Sequence, residues 1–135
     1  MSANLDRLKG LYEAFAKGDV TAVLGAMDDR IEWREPDSLP YEDQVGPQAV
    51  AENIFARVMQ DVNGFTVAPD EFVDGGDTIA CTGTYSGRGA KTGLSFSTPF
   101  VHVWKFRNDK IVYFRTYTDT KVWADVLGVG AALSA

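Results

Sequence analysis

Cysteine and histidine are nearly absent from this chain, with one of each in 135 residues. A lone Cys81 cannot close an internal disulfide, and one histidine with one cysteine cannot build a usual metal site, so no metal is expected. Cys81 falls in an apolar strand pattern and reads as a small buried hydrophobe rather than a nucleophile. Basic residues are outnumbered, 13 Lys and Arg against 19 Asp and Glu, giving a formal net charge of −6. With no basic stripe, a nucleic-acid partner is not expected. No apolar run is long enough to span a bilayer. Met1-Ser2-Ala3-Asn4 leads into an amphipathic pattern without the charged and apolar regions of a signal peptide. The expectation is a cytoplasmic protein with no membrane association. Ser95 and Ser97 lie in no nucleophile elbow, and the Gly87 to Gly93 connector, with Lys91, opens no helix that would cradle a phosphate.

What the chain does have is apolar surface: 45% of it is hydrophobic and 12% aromatic. That suffices for the core of a single domain over residues 1–135. Leu5, Leu8, Leu11, Tyr12 and Phe15 recur at helical spacing, and Gly18 stops that helix. Asp19 caps a second helix expected to run to about Asp28, with Val20, Val23, Leu24 and Met27 on its buried side. Ile31 to Glu35 alternates as a short strand that Pro36 ends. Asp37 to Gly46 reads as a polar loop. Pro47 opens a third helix with Val50, Ile54, Phe55 and Val58 as its stripe, broken at Asn63-Gly64.

Strands are then expected from Phe65 to Val73, interrupted late by Pro69, from Thr78 to Ser86 and from Leu94 to Phe106. Ile111 to about Thr118 is the last. Gly87 to Gly93 reads as a flexible connector. The tail from Val122 to Leu133 reads as one helical turn or an interface segment. The last two strands are joined by Arg107-Asn108-Asp109-Lys110 and form a hairpin. His102 shares a face of this hairpin with Phe100, Trp104 and Phe106. The order of elements is an α+β plan, with a curved antiparallel sheet wrapped as a cone around the N-terminal helices.

The stretch Leu11 to Asp19, then Trp33 to Pro36, His102 to Phe106 with Asp109-Lys110-Ile111, and Arg115 to Thr120 resembles the SnoaL-like family. That family belongs to the nuclear transport factor two-like, or ketosteroid isomerase-like, superfamily. The resemblance covers nearly the whole chain. It implies a cystatin-like α+β barrel, an apolar pocket at the open end and a homodimer packed through the outer sheet face. The superfamily holds isomerases, cyclases, hydrolases, dehydratases and non-catalytic domains, so the fold alone does not select among them.

The resemblance also implies roles. The spacing from Gly18-Asp19 to Glu35-Pro36 matches that between the Gly-Asp and the catalytic Asp-Pro of the isomerases, which sets Glu35 in the place of the general base. The competing reading is a strand-end carboxylate that caps a loop or pairs with Arg34 or another surface cation. His102 falls where the isomerases keep a protonated aspartic acid that donates to an enolate oxygen. The competing reading is a buried histidine satisfied by hydroxyls such as those of Tyr85 or Thr116.

The isomerases' helical tyrosine corresponds to Leu11. Tyr12 is about 100° further round the helix, and its hydroxyl is expected to reach a rim instead. Thr116 matches the last-strand carboxylate of cyclases and epoxide hydrolases. Arg115, Tyr117 and Asp119 are expected on the outer face as an ion pair and dimer contact, with Asp119 as a pocket acid the alternative. The candidate ligand wall is Tyr12, Phe15, Trp33, Phe55, Tyr85, Phe100, Trp104, Phe114 and Thr116, suited to a flat hydrophobic molecule.

Three functions follow as expectations. One is a cofactor-independent, isomerase-like or cyclase-like enzyme that moves a proton next to a carbonyl, with Glu35 and His102 catalytic. The others are a non-catalytic ligand-binding domain and a dimerisation domain of the same fold.

Overall fold

The structure, a computed structural model, describes residues 2–129. Helix α1 (Ala3–Ala16) is capped by the Ser2 hydroxyl, which accepts from the Leu5 amide, and it buries Leu5, Leu8, Leu11 and Tyr12. Gly18 follows in the left-handed region at φ 77°, which glycine adopts without steric cost. Helix α2 (Val20–Gly25) is capped by Asp19 and buries Val23. It ends earlier than the sequence suggests, because strand β1 (Met27–Arg34) already begins at Met27. Tertiary pairing overrides the helical pattern there: Met27 lies opposite Ile111, and the Ile111 amide donates to the Ala26 carbonyl.

The Asp37 to Gly46 segment is less polar than its composition implies. Leu39 and Tyr41 are buried, and strand β2 (Gln44–Val45) pairs with β1. Next comes one continuous helical stretch, α3 (Pro47–Val50), a π-helical turn (Ala51–Phe55) and α4 (Ala56–Asp61). It buries Val50, Ile54 and Val58.

Strands β3 (Val62–Asp74), β4 (Thr78–Gly89), β5 (Ser95–Arg107) and β6 (Lys110–Thr118) make an antiparallel meander. Pro69 does not interrupt β3; the register shifts beside it and the strand continues. The strand lies at the sheet edge, where a missing N–H is tolerated. Asn108 and Asp109 both have positive φ, 50° and 66°, the signature of a tight type I′ hairpin turn. The Gly87 to Gly93 segment is tied down rather than free. Gly89 lies within β4, and the Thr92 hydroxyl donates to the Val126 carbonyl at 2.7 Å.

The sheet order is β2-β1-β6-β5-β4-β3, open at both ends. It is mixed rather than wholly antiparallel, because β1 runs parallel to β6. Its inner face carries Ile79, Cys81 and Tyr85 from β4, Phe100, His102 and Trp104 from β5, and Ile111, Phe114 and Thr116 from β6. At Gly83, opposite Phe100, a Cβ would lie 2.4 Å from both the Phe100 ring and the Ala68 carbonyl. Only glycine leaves room for that ring to lie flat across the strand.

The tail forms helix α5 (Thr120–Leu127) and buries Trp123, Val126 and Leu127. Its continuation to Leu133 lies outside the described residues. Among the described residues, Asp119 joins no ion pair and does not line the cavity. It caps α5, accepting from the Lys121 and Val122 amides, because a carboxylate one residue before a helix meets its unpaired N–H groups. Arg115 instead lies over the Tyr117 ring, 5.0 Å from its centroid.

Candidate active site

Sheet and helices enclose a cavity of about 80 Å³. From the expected wall, Tyr12, Phe15, Trp33, Phe55, Tyr85, Trp104, Phe114 and Thr116 line it. Phe100 does not; it stacks on the far side of His102, with ring centroids 3.9 Å apart. Glu35 and His102 both border the cavity. So do Leu39, Tyr41, Phe65 and Trp123, which sequence patterning missed. Leu39 and Tyr41 sit in an irregular segment with no period, and Trp123 in a short helix that the tail's glycines obscure. Trp123 meets the Tyr41, Phe65, Tyr85 and Phe96 rings edge-on.

Glu35 follows the last residue of β1, where the chain turns at Pro36. Its Oε2 accepts from Trp33 Nε1 at 2.7 Å, and its amide donates to Asp43 Oδ1 at 2.8 Å. Arg34 points the other way and pairs with Asp43 and Glu32. No basic side chain among the described residues forms a salt bridge with Glu35. Desolvation pushes the Glu35 carboxyl up to about 7, against the Trp33 hydrogen bond, with Asp43 adding to the rise. A carboxyl titrating there exchanges protons readily at neutral pH.

His102 is buried on β5, with both ring nitrogens engaged. Nδ1 is 2.6 Å from the Tyr12 hydroxyl and Nε2 is 2.5 Å from the Tyr85 hydroxyl. Tyr85 also bonds Thr116 Oγ1 at 2.8 Å, and Trp104 Nε1 donates to Tyr12 Oη at 2.9 Å. The imidazole therefore presents no free nitrogen to the cavity. Burial holds its pKa well below the usual histidine value, so the ring is neutral. Burial also raises Tyr12 and Tyr85, keeping both phenols protonated.

The Tyr12 hydroxyl does not reach a rim. Leu11 and Tyr12 are both buried, because the apolar stripe of a packed helix is wide enough to include adjacent positions. Tyr12 thereby comes to lie parallel to the imidazole, at an interplanar angle of 6°. Among the described residues, no three or more His, Cys, Asp or Glu side chains gather as a metal site. Nor is any helix among them long and apolar enough to cross a membrane.

N-terminal helices laid on a curved, open sheet, with a cavity between them, define a cystatin-like or ketosteroid isomerase-like α+β protein. The sequence profile of the SnoaL-like domain matches residues 8–114, and the chain belongs to that family. An NTF2-like protein of Burkholderia thailandensis E264 is 30% identical at a TM-score of 0.89, over 94% of this chain and 98% of its own. TerC, crystallised with polyporic acid, is 24% identical at a TM-score of 0.83, over 93% and 98%. IdmH, a candidate polyketide cyclase of Streptomyces antibioticus, is 20% identical at 0.77, over 94% and 99%. The last two share the fold. No curated protein matches the sequence.

Proposed function

We propose that the protein is an enzyme acting on a small, weakly polar carbonyl compound. Glu35 removes a proton from the carbon next to the carbonyl, as in an isomerisation or an aldol-type cyclisation. The observation that supports this best is the carboxylate itself: it borders an apolar cavity, holds one side-chain hydrogen bond and has no cationic partner among the described residues. A base so placed is partly desolvated and protonates near neutrality, where general-base catalysis is most effective. The aromatic walls suit a flat ligand. At about 80 Å³ the cavity is below the ~300–1,000 Å³ of drug-sized sites, so the ligand seats one ring or its reactive end there. TerC, with its bound polyporic acid, and the cyclase candidate IdmH are consistent with that ligand class.

A non-catalytic binding domain is the second reading. It draws support from the His102 cluster, whose hydrogen bonds are closed among protein groups. The proposal includes a cytoplasmic location and a homodimer through the outer sheet face. There Val101 and Tyr117 are exposed and paired across β5 and β6.

The test is a thermal-shift screen with hydrophobic ketones and aromatic acids, since a specific ligand stabilises the native state. A ketone that binds is then followed in D₂O for exchange of its α-hydrogens. The proposal expects exchange that Glu35→Gln abolishes without loss of binding. Normal exchange by that variant, or binding without exchange, removes the enzymatic reading.

A further inference from the structure

Resting on the reading of Glu35 as the proton acceptor, we propose that Tyr85, rather than His102, donates the hydrogen bond to the ligand's carbonyl oxygen. Trp104, Tyr12 and His102 form a one-directional relay that aims it. The direction follows from one donor that has no choice. An indole N–H donates and never accepts, and Trp104 Nε1 donates to Tyr12 Oη at 2.9 Å. The Tyr12 hydroxyl must then send its own hydrogen elsewhere. Two groups stand near it, His102 Nδ1 at 2.6 Å and the Cys81 thiol. A thiol sulfur is a weak acceptor, and the Cys81 Sγ–H is directed at the Thr82 carbonyl at 3.4 Å. The imidazole nitrogen takes the hydrogen.

Nδ1 is therefore the acceptor of a neutral ring, and the ring's hydrogen sits on Nε2. That N–H donates to Tyr85 Oη. Tyr85 receives a hydrogen bond from the relay and keeps its own hydrogen. Without a ligand that hydrogen goes to Thr116 Oγ1 at 2.8 Å. With a carbonyl oxygen in the cavity it turns to the ligand, and the Thr116 hydroxyl can rotate to donate back to Tyr85. The opposite tautomer would commit the Tyr85 hydrogen to Nε2 and leave the cavity without this donor. Of the other two phenols on the wall, Tyr12 gives its hydrogen to His102, and Tyr41 already donates to Asp61.

As negative charge grows on the ligand oxygen, each donor polarises the next. No proton leaves the relay, and the donors are in place before the reaction. Tyr85 touches the ligand; His102, Tyr12 and Trp104 position it.

The chain has one histidine, so ¹⁵N labelling of the imidazole gives one ring to read. In the free protein at neutral pH the relay requires hydrogen on Nε2 and a bare Nδ1; hydrogen on Nδ1 overturns it. Trp104→Phe removes the fixed donor and should populate the other tautomer. An unchanged spectrum takes Trp104 out of the relay and overturns its direction.

Ligand donation is tested with acetophenone and its near-isostere ethylbenzene, which lacks the oxygen. Wild-type protein should prefer the ketone about tenfold, and Tyr85→Phe should bind both alike. Equal affinities in the wild type, a preference that survives Tyr85→Phe, or no binding of acetophenone each overturns the role of Tyr85. Glu35→Gln should retain both the tautomer and the ketone preference. Loss of the Glu35 reading therefore leaves a separate signature. If Tyr85→Phe fails to fold, the wild-type tautomer still decides the direction.

Discussion

Two polar groups border the same cavity and are treated in opposite ways. His102 has a partner on each ring nitrogen, and those partners are themselves held by Thr116 and Trp104. Glu35 has one indole N–H on a carboxylate that can accept several hydrogen bonds, and an acidic neighbour in Asp43. The first arrangement keeps the ring neutral and matches each of its polar atoms, so the imidazole is held in place and takes no proton itself. The second leaves a titratable group short of solvation at the edge of an apolar space, where gaining a proton relieves it. The residue expected to share the chemistry, His102, is thus the one most fully absorbed by the core.

The contrast breaks first at Glu35. Glu35→Gln should lower α-hydrogen exchange of a bound ketone by ~10²–10⁴, the usual contribution of a positioned base, with little change in affinity. Exchange kinetics against thermal-shift affinity separate the two. The wild-type rate should rise with pH to a plateau above about 7.

The next effect is on stability, and its sign is set by linkage. The folded carboxyl titrates at about 7 against 4.5 for an ordinary Glu. Between those pH values the unfolded chain has released a proton that the folded chain retains. Stability therefore falls as pH rises from 4.5 to about 7 and then levels, at a cost of about 3 kcal/mol. Urea unfolding should show Glu35→Gln more stable than wild type by up to that amount at pH 8, with the gap closing towards pH 4.5. A gap independent of pH would mean that the carboxylate is solvated. His102 acts in the other direction: its folded pKa is depressed, so its contribution is lost as pH falls below its ordinary value.

A smaller loss is expected from Tyr12→Phe. It orphans Trp104 Nε1 and His102 Nδ1 together, costing ~1–3 kcal/mol by the same unfolding measurement. A neutral outcome would mean that water replaces the hydroxyl and that the relay is looser than its distances indicate. The smallest effect is at Arg34, whose partners are Asp43 and Glu32 on an exposed surface. Arg34→Gln should change stability by less than about 1 kcal/mol. It should leave the Glu35 midpoint nearly in place; a large rise would show that Arg34 already screens the carboxylate through Asp43.

Periodicity made much of this molecule legible. The stripe on α1, the tight turn at Asn108-Asp109 and the shared face of Phe100, His102 and Trp104 are local patterns, and each stands in the structure as read. The sequence also contained both groups now bordering the cavity. It did not contain their surroundings. Tyr12 and His102 are 90 residues apart, and Trp104 and Tyr12 are 92 apart. No spacing rule joins them, so the Tyr12 hydroxyl was expected elsewhere. Tyr41 and Trp123 lie where no long apolar period runs. The start of β1 was hidden because Met27 fits a helix as well as a strand until Ile111 arrives beside it.

The sequence by itself determined which faces are apolar, where the chain turns and which family the pattern resembles, because these depend on residues within a few positions of one another. Tertiary structure alone decided that His102 would be neutral and occupied and Glu35 poorly solvated. Desolvation and hydrogen bonding depend on what packs around a group, and here those neighbours come from distant parts of the chain.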